Sequence, residues 1–150
     1  MTKQVMKFSV GAFVLISLGF GALYVIRSYI PEYQARKAYE KIIEGYKNDP
    51  YGGETPEETM KLFIEALKKG DIELASKYYI WDRQEQRLRD LIKAKKEGRL
   101  PEILNKLDQY ELSKKEPKRA FYIRVGDDGV VASAIIIEWQ GLNGKWKITE

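Results

Sequence analysis

A chain of 150 residues with no cysteine and no histidine is barred from several kinds of chemistry before any motif is read. It can form no disulfide, thiolate nucleophile, thiolate metal site or lipid-modified cysteine, and it lacks the commonest general base and transition-metal ligand. Most hydrolase triads and nearly all zinc sites are thereby excluded. The net charge of +4 is no sign of nucleic-acid binding, because all 22 acidic residues and all but three of the 26 basic ones lie after residue 30, where the balance is only +1.

Residues 1–7 are a short tail carrying Lys3 and Lys7. Residues 8–26, FSVGAFVLISLGFGALYVI, hold no charge and at roughly 1.5 Å per helical residue reach about 28 Å, close to the hydrocarbon thickness of a bilayer. They read as one transmembrane helix. A cleaved secretory signal is the rival, with Gly19 and Gly21 as its small-x-small pair, but the apolar run continues through Leu23, Tyr24, Val25 and Ile26. Arg27, Arg36, Lys37 and Lys41 outnumber Lys3 and Lys7, which favours a cytoplasmic C-terminus. The N-terminal position of the run and the resemblance given below favour instead a domain outside the cytoplasm, and that is the orientation expected. Ser17 and Gly21 form a small-xxx-small step that can pack two such helices.

Residues 27–54 read as a juxtamembrane helix and linker. Pro31 suits a first helical turn, and Ala35, Tyr39, Ile42, Ile43 and Tyr46 recur at helical spacing until Asp49-Pro50-Tyr51-Gly52-Gly53 breaks the pattern. Thr55 opens the domain proper, residues 55–150, with a capping box: its hydroxyl accepts from the amide of Glu58, whose carboxylate reaches back to the Thr55 amide. Met60, Phe63, Ile64 and Leu67 give that helix one apolar face, Gly70 ends it, and Asp71 caps a second helix, DIELASKYYI. A third is expected from Asp82 to Glu97, with Leu88, Leu91 and Ile92 inward, and a short fourth from Pro101 through Leu107.

Beyond Tyr110 the period becomes alternating. Strands are expected around Phe121 to Val125, from Val130 to Gln140 and from Lys145 to Thr149, the last two joined by the hairpin pair Asn143-Gly144. In the last strand Trp146 and Ile148 face one way and the lysines the other. Helices followed by a meander predict an α+β fold, with helices on one face of a curved antiparallel sheet.

The segment TPEETMKLFIEALKKGDIELASKYY and the ending NGKWKIT resemble the opening and the last strand of cone-shaped domains. These form the nuclear transport factor two-like superfamily, also termed ketosteroid isomerase-like and grouped with cystatin-like α+β cones. Within it the chain is similar to bacterial members carried on an N-terminal anchor or lipoprotein signal. The resemblance covers residues 55–150 and implies a cavity between sheet and helices, which some members use for catalysis and others for binding. It carries over no catalytic residue, since the Asp, Tyr or His groups of the isomerase and dehydratase members match nothing here.

The expected cavity lining is Tyr78, Tyr79, Trp81, Tyr110 and Trp146, although aromatics at such spacing also make ordinary cores. Glu65 and Glu138 are the acids nearest predicted core positions and read as solvent-facing charges. The basic run from Arg83 to Arg99 could lie against anionic headgroups or nucleic acid, but acids dilute it and no aromatic interleaves it, so it reads as a solvated helix face. The long strand is apolar on both sides, and helices cover only one. Ala132, Ala134 and Ile136 are therefore expected in an interface, under a symmetric partner's sheet or the preceding helix.

The expected role is a non-catalytic module at the cell envelope that binds a small apolar ligand or a protein, with no cofactor, metal or nucleic acid and with homodimerisation through the sheet or the juxtamembrane helix. An isomerase or dehydratase acting on an apolar small molecule is the alternative: an open cavity holding a carboxyl or tyrosine would favour it, and one filled by Trp and Leu would oppose it. A pilin-like fibre subunit ranks third, because the Gly before Phe8 and an early glutamate are missing.

Overall fold

The computed structural model describes Tyr24, Arg27 and residues 31–150, so the expected transmembrane segment 8–26, apart from Tyr24, lies outside the described residues. Among the described residues no helix is long and apolar enough to cross a membrane. The chain forms two compact units, one ending at Lys41 and the other running from Ile42 to Glu150. Residues 31–48 are helical (α1), and each of residues 31–42 is exposed.

The second unit is α+β. Its helices are α2 (Pro56–Lys68), α3 (Ile72–Lys77), a 3-10 turn (Trp81–Arg83), α4 (Gln84–Lys96) and α5 (Leu100–Leu107). Its strands β1 (Glu111–Glu116), β2 (Arg119–Val125), β3 (Val131–Gln140) and β4 (Lys145–Ile148) form an antiparallel meander in the order β1-β2-β3-β4. Thr55 caps α2 by accepting from the Glu58 amide at 3.1 Å. The Glu58 carboxylate returns to the amide of Glu54, one residue before the one expected, at 2.7 Å. Asp71 caps α3 by accepting from the Leu74 amide at 2.9 Å.

Two helices depart from the sequence periodicity. The second stops at Lys77, because Tyr79 bridges to Ile148 of β4 in parallel fashion: the Ile148 amide donates to the Tyr78 carbonyl at 2.9 Å and the Ile80 amide to the Ile148 carbonyl at 3.0 Å. The third begins at Gln84, after the 3-10 turn. It buries Gln84, Leu91 and Ala94 while Leu88 and Ile92 stay half-exposed.

One face of the sheet, through Ala120, Tyr122, Ile135, Ile137, Trp146 and Ile148, packs on Met60, Phe63, Ala66 and Leu67 of α2 and on Ala75, Leu91 and Leu107 of the later helices. This is the core, and removing its apolar surface from water is the main driving force for the fold. On the other face Phe121 pairs with Ile136 and Ile123 with Ala134. There Ala132 and Ala134 are exposed, while Phe121, Ile123 and Ile136 are half-buried.

Lys147 sits opposite Glu138, on that second face, yet only 1% of it is exposed. Lys145 and Lys147 lie on the face opposite Trp146 and Ile148, as expected, but Lys147 is covered there, because the segment after α1 is laid over it. The approach is close: the Trp146 amide donates to the Gly53 carbonyl at 2.9 Å, and the Gly53 amide to the Thr59 hydroxyl at 2.9 Å. Any side chain at Gly53 would meet the Thr59 backbone nitrogen at 2.6 Å, which is why the linker carries glycine there.

Candidate functional site

Between α2, α4, α5 and the inner face of the sheet lies a cavity of about 430 Å³. Its apolar wall comes from Phe63 of α2, Leu91 and Ala94 of α4, Ile103 and Leu107 of α5, Ile135 of β3 and Ile148 of β4. Gly98, at φ +68°, turns the chain from α4 to α5, and Ala94, the smallest residue facing inward there, leaves the space between them unfilled.

The polar part of the wall is Tyr79, Arg87, Asp90, Lys93, Arg99 and Glu150. Arg87, one turn after the buried Gln84, is carried onto the inner side of α4 by the same rotation that turns Leu88 outward. Its guanidinium carbon stands 5.1 Å from the centre of the Tyr79 ring, in cation–π range, and Nη1 lies 3.7 Å from the Asp90 carboxylate. Its Nε is buried with no hydrogen-bond partner among the described residues. Tyr79 is held edge-on to Phe63, with ring centres 5.5 Å apart, and burial raises its phenol above the ordinary tyrosine range.

Of the five aromatic residues expected to line a cavity, Tyr79 does. Tyr78 is buried in the core, and Trp146 is buried there with its ring 5.9 Å from that of Trp139. Tyr110 packs at the core edge and donates to the Ser133 hydroxyl at 2.7 Å. Trp81 is 38% exposed and lies against Gly45, where even a methyl group would come within 2.2 Å of the indole. Glu65 is exposed, 4.0 Å from Lys61, and Glu138 is half-buried, 2.6 Å from Arg119. The basic run divides: Arg89 pairs with Glu85 and Lys95 donates to the Gly70 carbonyl, whereas Arg87, Lys93 and Arg99 reach the cavity wall.

The buried charges lie elsewhere, at residues the sequence did not single out. Lys147 donates to Asp49 Oδ2 and to the Lys77 carbonyl, each at 2.7 Å. Asp49, 4% exposed, also accepts from Gln84 Nε2 at 2.7 Å and from the Tyr51 amide at 3.0 Å. Burial pulls the Lys147 ammonium below the ordinary lysine range, against the opposing hydrogen bond and charge of Asp49. The network joins the end of α1, the start of α4 and the last strand. A pair so fully covered holds structure rather than meeting a ligand.

A shallower hollow between α2 and β2 is lined by Glu57, Lys61, Ile64, Glu65, Asp108 and Tyr122, and the Tyr122 hydroxyl is buried without a partner among the described residues. Among the described residues no group of three or more acidic side chains is placed to hold a metal ion. Comparison with known proteins finds no protein family, no curated protein and no solved structure that matches this chain.

Proposed function

We propose that the chain is a single-pass membrane protein presenting a nuclear transport factor two-like domain outside the cytoplasm, and that this domain binds a small, largely apolar molecule. The uncharged run at 8–26 supports the anchor. The observation that carries the binding role is the cavity of about 430 Å³, within the usual range for small-molecule sites, with an apolar floor and a few polar groups on one side.

Catalysis on the same molecule is the second reading, and Tyr79 is the observation in its favour: a phenol kept protonated by burial is a donor of the kind that stabilises an enolate. Binding ranks first because the acid beside it, Asp90, has a side chain 58% exposed and lies 3.7 Å from Arg87, a poor setting for a general base.

Mass spectrometry under native conditions, on the full chain extracted from membranes with detergent, tests both parts of the reading. An intact N-terminus and a retained small molecule are expected. Recovery of the whole, uncleaved chain from the aqueous fraction of a detergent-free lysate would overturn the anchor, and a chain that neither retains nor takes up any apolar compound would overturn the binding role.

A further inference from the structure

Resting on that binding role, we infer that the cavity selects a single-chain amphiphile with an anionic head, a medium-chain carboxylate, its head held by Arg87 and Lys93 and its tail lying against Phe63, Leu107, Ile135 and Ile148. The cations of the wall are not scattered: Arg87 and Lys93 belong to α4 and Arg99 lies three residues beyond it, while its two acids are split between Asp90 of α4 and Glu150 after β4. Opposite them the helix–sheet seam is hydrocarbon. A neutral apolar ligand would leave the α4 side unmatched, whereas a chain with a charge at one end matches both.

Arg87 is the donor with spare capacity. A guanidinium has five N–H groups. Here its Nε finds no partner among the described residues, and its contact with Asp90, at 3.7 Å, is longer than a hydrogen bond. Asp90 is largely solvated and Arg99 is occupied by Glu97 at 2.5 Å, so the acids of the wall, Asp90 and Glu150, leave Arg87 and Lys93 able to accept a further anion. The Tyr79 ring under the guanidinium fixes its plane, which favours two-pronged recognition of a carboxylate over a single point contact. The cavity opens to solvent, so its volume guides only the choice of probe: at roughly 30 Å³ per water-sized group it has room for about 14 non-hydrogen atoms, the size of dodecanoate.

The full chain, reconstituted in phosphatidylcholine nanodiscs with empty nanodiscs as background, is titrated with [1-13C]dodecanoate and with [1-13C]dodecan-1-ol, following the carbon resonance of each head. Dodecanoate is expected to bind once per chain and at least about tenfold more tightly than the alcohol, as a charge-assisted contact requires. Arg87→Gln should weaken dodecanoate by about tenfold, with the alcohol within about twofold of its original affinity. Lys93→Gln, at an exposed position where loss of fold is not an issue, should act in the same direction. Equal affinity for the two probes, or an equal loss of both in Arg87→Gln, would overturn the anionic preference while leaving the cavity as a binding site. If neither probe binds, or if cavity-filling Ile103→Trp takes up both probes as the parent does, the binding role of the cavity falls.

Discussion

The buried pair of Asp49 and Lys147 gives the sharpest test of the fold. In Asp49→Ala the Lys147 ammonium, 1% exposed, would lose its anionic partner and keep, among the described residues, the Lys77 carbonyl at 2.7 Å as acceptor. In Lys147→Met the Asp49 carboxylate would keep Gln84 Nε2 and the Tyr51 amide but no cation. Breaking a buried ion pair from either side costs about 3–5 kcal/mol, a large part of the roughly 5–15 kcal/mol that stabilises a domain. Replacing both together, Asp49→Leu with Lys147→Met, removes the desolvated charges, and Gln84 Nε2 still has the Lys77 and Tyr79 carbonyls. The double variant is therefore expected within about 1–2 kcal/mol of the parent. Urea unfolding of the full chain in detergent, followed by the fluorescence of Trp139 and Trp146, measures all four corners of the cycle. Single-variant losses under about 1 kcal/mol, the range of exposed pairs, would refute the burial. There is a pH signature as well. Lys147 has a depressed folded-state pKa, so between that value and 10.5 the unfolded chain binds more protons and stability rises with pH, a rise that Lys147→Met should abolish.

Tyr122→Phe removes a hydroxyl that is buried without a partner among the described residues, and a gain of about 1–3 kcal/mol in chemical unfolding is expected; a loss would show that the hydroxyl is bonded in solution. Burial, and secondarily Glu57, push that phenol up to about 12, so the unfolded chain loses its proton first and stability falls as pH rises from 10 toward 12. The same variant should make the fall shallower by up to about 1.4 kcal/mol per pH unit. Gly53→Ala drives a methyl group to 2.6 Å from the Thr59 nitrogen and should cost about 1–3 kcal/mol by thermal or urea unfolding; an unchanged midpoint would mean that the linker does not press on α2. The expected homodimer through the sheet face is tested by Ile136→Lys, which places a charge beside Phe121 on the face away from the helices: a fall from dimer to monomer mass by light scattering would support that interface, whereas unchanged mass and solubility would remove it.

Features set by neighbouring residues were legible in the sequence. The caps at Thr55 and Asp71, the stops at Gly70 and Gly98 and the turn at Gly144 follow from local conformational preference, and they place α2, α3, α4 and the β3–β4 hairpin within a few residues. Asp49 and Lys147 were not legible. They are 98 residues apart, and in the string KWKI the alternation sets Lys147 on the face opposite Trp146 without indicating that this face is covered there. Its burial depends on Gly53 and Gln84 being laid against β4, which is a tertiary event. The cavity was half legible. Tyr79 was singled out as an aromatic of the second helix, although it reaches the cavity from a bridge to β4 beyond that helix, and Arg87 reads as one charge among many, because nothing local indicates that α4 buries Gln84 and leaves Leu88 half-exposed.

The borders of the sheet limit how copies of this chain can assemble. On one side β1 presents Lys114, Lys115 and Glu116 and is interrupted by a bulge after Leu112. On the other, the amides of Trp146 and Ile148 are already taken by the carbonyls of Gly53 and Tyr78. Charge and irregularity discourage strand pairing at the first border, and prior engagement removes it at the second. Lengthening the ribbon by a donated strand from a neighbour would require stripping away the linker or the stretch before α4, so any growth into a filament has to proceed through faces and helices.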